Sequence, residues 1–296
     1  MSRDDLALLL ARIAVMAGKS VAGIFGHKVE TVWKPDASPV TNADKAAEAA
    51  IIPLLADALP RVPVVSEELV AAGCIPEIGE RFVLVDPLDG TREFIAGRPE
   101  VTVNIALVEN GRPTAGAVYA PLMGRLWFGG TEARVIEIAP GADLGEAPSA
   151  RRIAVRKPPP TGLVALTSRS HLDTASEAYL ARWRVTERRA MGSSLKFCLI
   201  AEGKADLYPR LAPTREWDTA AGHAVLAAAG GDVLTPEGKP LRYGKAAAQF
   251  LHAGFIAVGG LRLGKSVPDP ASKLPELRAF SPGCRPDRFR YRSDAK

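Results

Sequence analysis

The sequence predicts a mixed α/β fold built in layers. Three observations lead there: segments patterned as helices alternate with short apolar strands, no internal repeat is visible, and 47% of the 296 residues are hydrophobic, enough for one large core or two smaller ones. The first helix is expected over residues 4–25. Its apolar run from Leu6 to Ala17 would suit a signal peptide, but Asp4 and Asp5 occupy the flank that should be positive and Arg12 interrupts the run, so an amphipathic helix is expected. No stretch reaches the roughly 18 uncharged apolar residues of a membrane span. A second helix is expected over 43–59, led in by Ser38-Pro39-Val40-Thr41-Asn42-Ala43-Asp44. The β-branched segment 62–65 follows as a strand and ends in Ser66-Glu67-Glu68. The next strand, 82–85, runs into Asp86-Pro87-Leu88-Asp89-Gly90-Thr91, where proline and glycine are expected to force a turn before a helix near Thr91. Beyond it, strands are expected over 101–109, 114–120, 126–129, 135–138, 152–155, 162–166, 185–188 and 205–208. Helices are expected over 174–183, 194–202 and 218–229, the last alanine-rich and closed by Gly230-Gly231. Gly141 to Pro148 reads as a loop near a domain joint and Lys157-Pro158-Pro159-Pro160 as a rigid linker, dividing the chain into units 1–150 and 151–260 and a tail, 261–296.

Four of these element ends bring carboxylates: Asp44, Glu67, the pair Asp86 and Asp89, and Asp218. Two aspartates at the end of an apolar strand repel each other and are costly to desolvate. The arrangement makes sense around hard divalent cations, which take oxygen ligands and leave positions for a phosphate. Backbone amides from about Gly90 and Thr91, at the start of a helix, would face the same phosphate. Taken singly, each feature has a plainer reading: Asp-Gly is ordinary turn chemistry, Asp218 would serve as a helix cap, and Glu67 or Glu68 would simply be solvated. All four together, in this order, favour the metal reading.

The order Ser-Pro-Val-Thr-x-Ala-Asp, Ser-Glu-Glu, Asp-Pro-Leu-Asp-Gly-Thr and Trp-Asp-Thr-Ala-Ala-Gly resembles the lithium-sensitive, metal-dependent phosphatases of the inositol monophosphatase superfamily. Within it, the stretches 86–94, 102–107, 192–198 and 217–225 resemble the bacterial CysQ branch, the 3'(2'),5'-bisphosphate nucleotidases. The likeness runs from near residue 5 to about residue 259 and implies an alternating α-β-α-β-α sandwich with the metal site in a cleft between two subdomains. It implies two or three Mg²⁺ ions, with Mn²⁺ as the alternative. One would lie on Glu67, Asp86 and the Leu88 carbonyl, and a second on Asp86, Asp89 and Asp218. It implies that Thr91 and Asp44 activate the attacking water, with Glu67 sharing in catalysis through a third ion. Glu68 is expected behind the ligands rather than among them. For the substrate, a nucleoside bisphosphate, Gly192-Ser193-Ser194-x-Lys196 at a helix start can supply hydroxyls, amides and a charge, and Arg210 is a further candidate, although Ser193 would equally cap its helix and Arg210 be a surface charge. His171 resembles the branch's adenosine-contacting histidine, its plainer role being to cap or pack, and Gly90, Thr91 and Asp218 complete the expected set. Arg92 stands where that branch commonly has lysine, so its role is open. The activity implied is hydrolysis of the 3'-phosphate of 3'-phosphoadenosine 5'-phosphate to AMP, with its sulfated relative as a further substrate. An inositol- or sugar-phosphate phosphatase is the alternative, and a catalytically silent nucleotide or phosphate sensor the non-enzymatic one.

The net charge of +5 is unevenly placed: residues 261–296 carry nine Lys/Arg against four Asp/Glu, so residues 1–260 sum to zero. This proline-containing basic tail leaves peripheral contact with the inner membrane open. The neutral body gives no reason to expect nucleic acid as a partner. Three cysteines, Cys74, Cys198 and Cys284, lack paired spacing and fit a reducing cytoplasm. Monomer and homodimer are both compatible with the sequence.

Overall fold

A computed structural model describes residues 1–34, 37–147, 149–170 and 173–261. His171 and the basic tail from Arg262 onward, both singled out in the sequence, lie outside the described residues. Helix α1 (Arg3–Ile24) starts with a capping box between Ser2 and Asp5. The hairpin β1 (Thr31–Trp33) and β2 (Pro39–Thr41) leads into α2 (Asn42–Ala58). Next come β3 (Val64–Ser66), α3 (Glu67–Ala71), β4 (Arg81–Asp89), α4 (Thr91–Ile95), β5 (Thr102–Glu109), β6 (Arg112–Ala120), β7 (Arg125–Gly129), β8 (Ala133–Glu137) and β9 (Arg151–Ile153). Strands β3 to β9 form a seven-stranded sheet in chain order, antiparallel except for the β3–β4 pair. The chain then leaves this sheet for β10 (Leu163–Ser168), α5 (Thr174–Leu180), β11 (Val185–Met191), α6 (Leu195–Ala201), β12 (Leu207–Arg210), β13 (Thr214–Arg215), α7 (Trp217–Ala228), β14 (Asp232–Leu234), β15 (Leu251–His252) and β16 (Phe255–Val258). The second sheet runs β11-β10-β12-β16-β14, and β13 pairs with β15 alone.

Side-chain parity sorts these elements into five layers. On β4, Phe82 and Leu84 join one core while Val83 and Val85 join another, because successive strand residues point to opposite faces. Val83, Val85, Ile105, Leu107 and Ala117 pack against α1 and α2. Leu84, Ala106, Val118 and Trp127 pack on α6 and α7, which also meet Tyr208, Phe255 and Ala257 of the second sheet. The far side of that sheet, with Leu207, Ile256 and Val258, is covered by Tyr179 and Leu180 of α5. The alternating α-β-α-β-α sandwich is therefore present, and burial on both faces explains why β4 to β6 read as continuous apolar runs.

Helix α7 lies between two sheets, and every residue from Thr219 to Leu226 is buried. A helix closed in on all sides must be apolar all round and slim. Its alanines supply the slimness, and the sheet supplies glycines opposite them: a Cβ on Gly116 would lie 2.8 Å from Ala224 Cβ, and one on Gly129 would lie 2.9 Å from Ala228 Cβ. Helix α1 is long and apolar enough, by length and composition, to cross a membrane, although Arg12 and Lys19 interrupt its apolar run. Its apolar face (Leu6, Leu10, Ile13, Ala14 and Ala17 among it) is nonetheless committed to the core.

Two expectations need correction. No turn interrupts the chain at Asp86-Pro87: β4 continues to Asp89, and the reversal comes at Gly90, whose φ of 96° is left-handed. The short elements β1, β2, α3, β13, β14, β15 and β16 were not expected from the sequence, because two to five residues carry too little periodicity to register, whereas the helix expected near Thr91 is present as α4. Replacing Gly116 by alanine forces the α7 contact apart. We expect a loss of about 1–3 kcal/mol, read as a lowered urea midpoint at unchanged slope.

Candidate metal centre

The pair Asp86 and Asp89 is set by an irregularity in β4. Asp86 is opposite Asn104 and Asp89 opposite Thr102, so three steps along β4 match two along β5. In a regular strand, residues three apart face opposite sides; one extra residue restores both to the same side. Pro87, which has no N–H to donate, sits inside this bulge. Asp86 shares the parity of Phe82 and Leu84 and so faces the layer of α7. Strand β3 runs parallel to β4 with Ser66 opposite Val85, which sets Glu67, the first residue of α3, beside Asp86. From the other side, α7 carries Asp218 in its first turn, where it accepts hydrogen bonds from the Thr214 hydroxyl and from Arg215 N at 3.1 Å. One oxygen each of Glu67, Asp86 and Asp218 lies within 4.8 Å of the others.

These carboxylates repel one another in a desolvated place. Burial first, then Glu67, Asp89 and Asp218, push the Asp86 carboxyl well above its usual range. Burial and Asp218 raise Asp89 to about 7, against the attraction of Lys196 and Arg210. Burial raises Glu67 to about 8, even though Lys34 opposes the shift. A cluster of all-oxygen donors whose charges are only partly compensated is the donor chemistry a hard divalent cation takes.

Asp44 reaches the site indirectly. The α2 capping box fixes it: Thr41 N donates to Asp44 Oδ2 at 2.8 Å and the Thr41 hydroxyl at 2.5 Å. Its Oδ1 is left for the Thr91 hydroxyl at 3.0 Å, which is also 3.1 Å from Leu88 O. Burial raises the Asp44 pKa against these hydrogen bonds. Leu88 itself is buried, and its amide donates to Asp86 Oδ1 at 3.1 Å, which ties the bulge together.

A cleft of about 540 Å³ opens over these groups. Glu67, Asp86, Asp89 and Asp218 line it, as do Gly90, Thr91, Gly192, Ser193, Lys196 and Arg210. Gly90 and Gly192 are required by close approach: a Cβ on either would come within 3.0 and 2.8 Å of Glu100 O, respectively. Ser193 does not cap α6, since Ser194 holds that position, and its φ of 49° turns the chain there. Lys196 is buried, its ammonium 2.6 Å from Ser193 O and 3.0 Å from Met191 O, and burial lowers its pKa to about 8 against the pull of Asp89. Arg210 donates from Nη2 to Pro213 O at 3.3 Å. Asp218 lies inside the first turn of α7 rather than at its cap, which is Glu216.

The structure adds residues that sequence reasoning did not single out. Lys34, beyond β1, places its ammonium 2.7 Å from both Glu67 and Glu68, which accounts for the second glutamate. A lone lysine before Ser-Pro-Val-Thr has no spacing that would mark it. Glu93 accepts from the Ser170 hydroxyl, and Arg169 pairs with Glu100, so the loop after β10 is tied to the first sheet's loops. Arg92 is exposed and donates to Ala37 O at 3.3 Å.

The fold and the carboxylate cluster define a class: the chain matches the inositol monophosphatase family over residues 4–257 and belongs to it. The family is one of metal-dependent phosphatases, and the acidic cluster could bind a metal. More particularly, the chain is 44% identical over 248 residues to the 3'(2'),5'-bisphosphate nucleotidase CysQ of Escherichia coli K12, covering 83% of this chain and 96% of that one. Among solved structures, CysQ of Bacteroides thetaiotaomicron superposes with a TM-score of 0.73 at 36% identity, over 87% of this chain and 98% of that one. The IMPase of Thermotoga maritima shares the fold at 24% identity and a TM-score of 0.67, over 87% and 93% of the two chains.

The raised pKa values fix the sign of a pH dependence. Carboxyls that titrate higher in the folded than in the unfolded state stabilise the fold below about 4 and lose that contribution as pH rises through about 7 to 8. Without divalent metal, the melting temperature should therefore fall between pH 5 and 8 for this cluster. Added Mg²⁺ or Mn²⁺ should raise it more at pH 8 than at pH 5, as scanning calorimetry would show.

Proposed function

We propose that this chain is a Mg²⁺-dependent 3'(2'),5'-bisphosphate nucleotidase that removes the 3'-phosphate of 3'-phosphoadenosine 5'-phosphate to leave AMP. The observation that carries the reading is the bulge-built pair Asp86 and Asp89 facing Asp218 and Glu67 across a cleft that also holds Lys196 and Arg210. The 44% identity to a bisphosphate nucleotidase supports the choice of substrate. Glu67, Asp86, the Leu88 carbonyl, Asp89 and Asp218 would hold two or three ions, and Mn²⁺ would serve in place of Mg²⁺. When bound, such ions neutralise phosphate oxygens and acidify water. Residues 1–150 supply most of these ligands and residues 151–260 supply Asp218 and the substrate contacts.

The remaining chemistry belongs to the chain. A phosphate monoester resists attack because its own charge repels a nucleophile, so the water must be held in line and its proton drawn off. Thr91 Oγ1 accepts that proton while passing its own to Asp44, which the capping box holds with one oxygen free for the purpose. Burial makes Asp44 a better proton acceptor than a solvated aspartate. The first amides of α4, after Gly90, have no carbonyl partner within their helix and suit a phosphate oxygen. Gly192, Ser193, Lys196 and Arg210 line the same cleft and would take the nucleoside and its second phosphate.

Phosphate release from 3'-phosphoadenosine 5'-phosphate, inositol 1-phosphate and fructose 1,6-bisphosphate tests the reading. We expect kcat/KM to favour the nucleotide by about a hundredfold or more, some 2.7 kcal/mol of transition-state binding. Comparable rates would move the substrate to inositol or sugar phosphates. Asp89→Asn should lower kcat by about a thousandfold or more, roughly 4 kcal/mol, with the circular dichroism spectrum intact. Near-normal turnover in that variant would remove the metal site as drawn.

A further inference from the structure

Asp218 works only if the first turn of α7 is held still, and the residue beside it in that turn makes contacts that the chemistry does not use. Glu216 is 0% exposed, yet it is a carboxylate. Its two oxygens accept from consecutive amides, Gly244 N at 2.7 Å and Lys245 N at 3.0 Å. Its own amide donates to Phe250 O at 2.8 Å, and its carbonyl accepts from Ala220 N at 2.9 Å and from Thr219 Oγ1 at 3.1 Å. The attachment continues along the helix: Tyr243 OH donates to Thr219 Oγ1 at 3.2 Å and lies 3.0 Å from His223 Nδ1. Residues 216, 219 and 223 are spaced three and four apart and so share one face of α7, while Asp218 lies about 200° round the helix from Glu216. One face is pinned to the segment Tyr243–Lys245; another presents the carboxylate to the cleft.

A carboxylate suits this clamp because it offers an acceptor to each of two adjacent N–H groups. An amide offers one acceptor and turns its NH₂ toward the other donor. Gly244, with φ of 97°, takes the left-handed conformation in which neighbouring amides converge on one anion. The segment it belongs to is itself seated: a Cβ on Gly244 would meet Phe82 of β4 at 3.5 Å, and Tyr243 N donates to Gly111 O at 3.1 Å. The clamp thus refers the position of Asp218 to the strand that carries Asp86.

We propose that Glu216 is a positioning residue for the metal centre, fixing the first turn of α7 so that Asp218 meets Asp86 and Glu67 at binding distance. The proposal rests on the reading of Asp218 as a metal ligand. The test is Mn²⁺ binding by calorimetry on the full chain, for wild type, Glu216→Gln and Asp218→Asn, with kcat followed against Mg²⁺ concentration. We expect Glu216→Gln to weaken Mn²⁺ binding about tenfold or more, and high Mg²⁺ to restore most of its kcat. Asp218→Asn should lose a binding event that added metal does not restore. A clamp that only stabilises the fold would lower the melting temperature and leave the Mn²⁺ affinity of the folded protein unchanged; that outcome overturns the proposal. If Asp218→Asn binds Mn²⁺ as wild type does, the ligand reading fails first and the proposal falls with it. Should Glu216→Gln fail to fold, Tyr243→Phe carries the test. It removes only the hydroxyl that reaches Thr219 and His223, the other two points on the pinned face, and a severalfold loss of Mn²⁺ affinity supports the proposal while an unchanged affinity overturns it.

Discussion

Repulsion among Asp86, Asp89, Asp218 and Glu67 is the constraint on which the rest of the molecule depends. Burial and their neighbours' charge push Glu67, Asp86 and Asp89 toward the neutral form, and like charges in a desolvated site are costly. Left to relax, such groups would turn outward into water. They do not, because each is fixed by an element whose place is set elsewhere: Asp86 and Asp89 by a bulge in a strand buried on both faces, Asp218 by a helix between two sheets, and Glu67 by the end of a strand parallel to β4. The hydrophobic layers therefore stabilise a polar arrangement that would not hold by itself.

Cations already moderate this field. Lys34 lies 2.7 Å from both Glu67 and Glu68, and Lys196 and Arg210 oppose the rise of Asp89. Acids and bases thus line one cleft, an arrangement compatible with hard cations. Asp44 accepts a hydrogen bond from Thr91 Oγ1 at 3.0 Å. A helix cap holds it in one geometry, and its charge adds to the rise of Asp86.

Much of this was legible in the chain. The long helices α1, α2 and α7 and the strands β5 to β7 fall close to their expected bounds, because each has enough residues for period and burial to agree, while β4 runs four residues past its expected end. The carboxylates at the element ends were likewise visible. The hairpin β1–β2 and the strands β13 and β15 were not, since such short pieces owe their form to what they pack on. The same is true of Lys34: its importance lies in a contact across 33 and 34 positions of sequence. Gly-Ser-Ser-Leu-Lys suggested a cationic grip at a helix start, but only the folded chain places the Lys196 ammonium on two carbonyls.

By itself the sequence determined which side chains are available and roughly where along each element they fall: an acid at the end of a strand, an acid in the first turn of a helix, alanines where a helix must be slim. These follow from local rules of period, capping and turn chemistry. Only the tertiary structure decided that Asp86 and Asp89 face the same way, because that depends on one extra residue in β4 measured against β5. It alone decided that Asp218 meets them, because the glycines of β6 and β7 admit α7 to within a methyl group of the sheet. Register and close approach are properties of pairs of elements, and no single stretch of chain carries them.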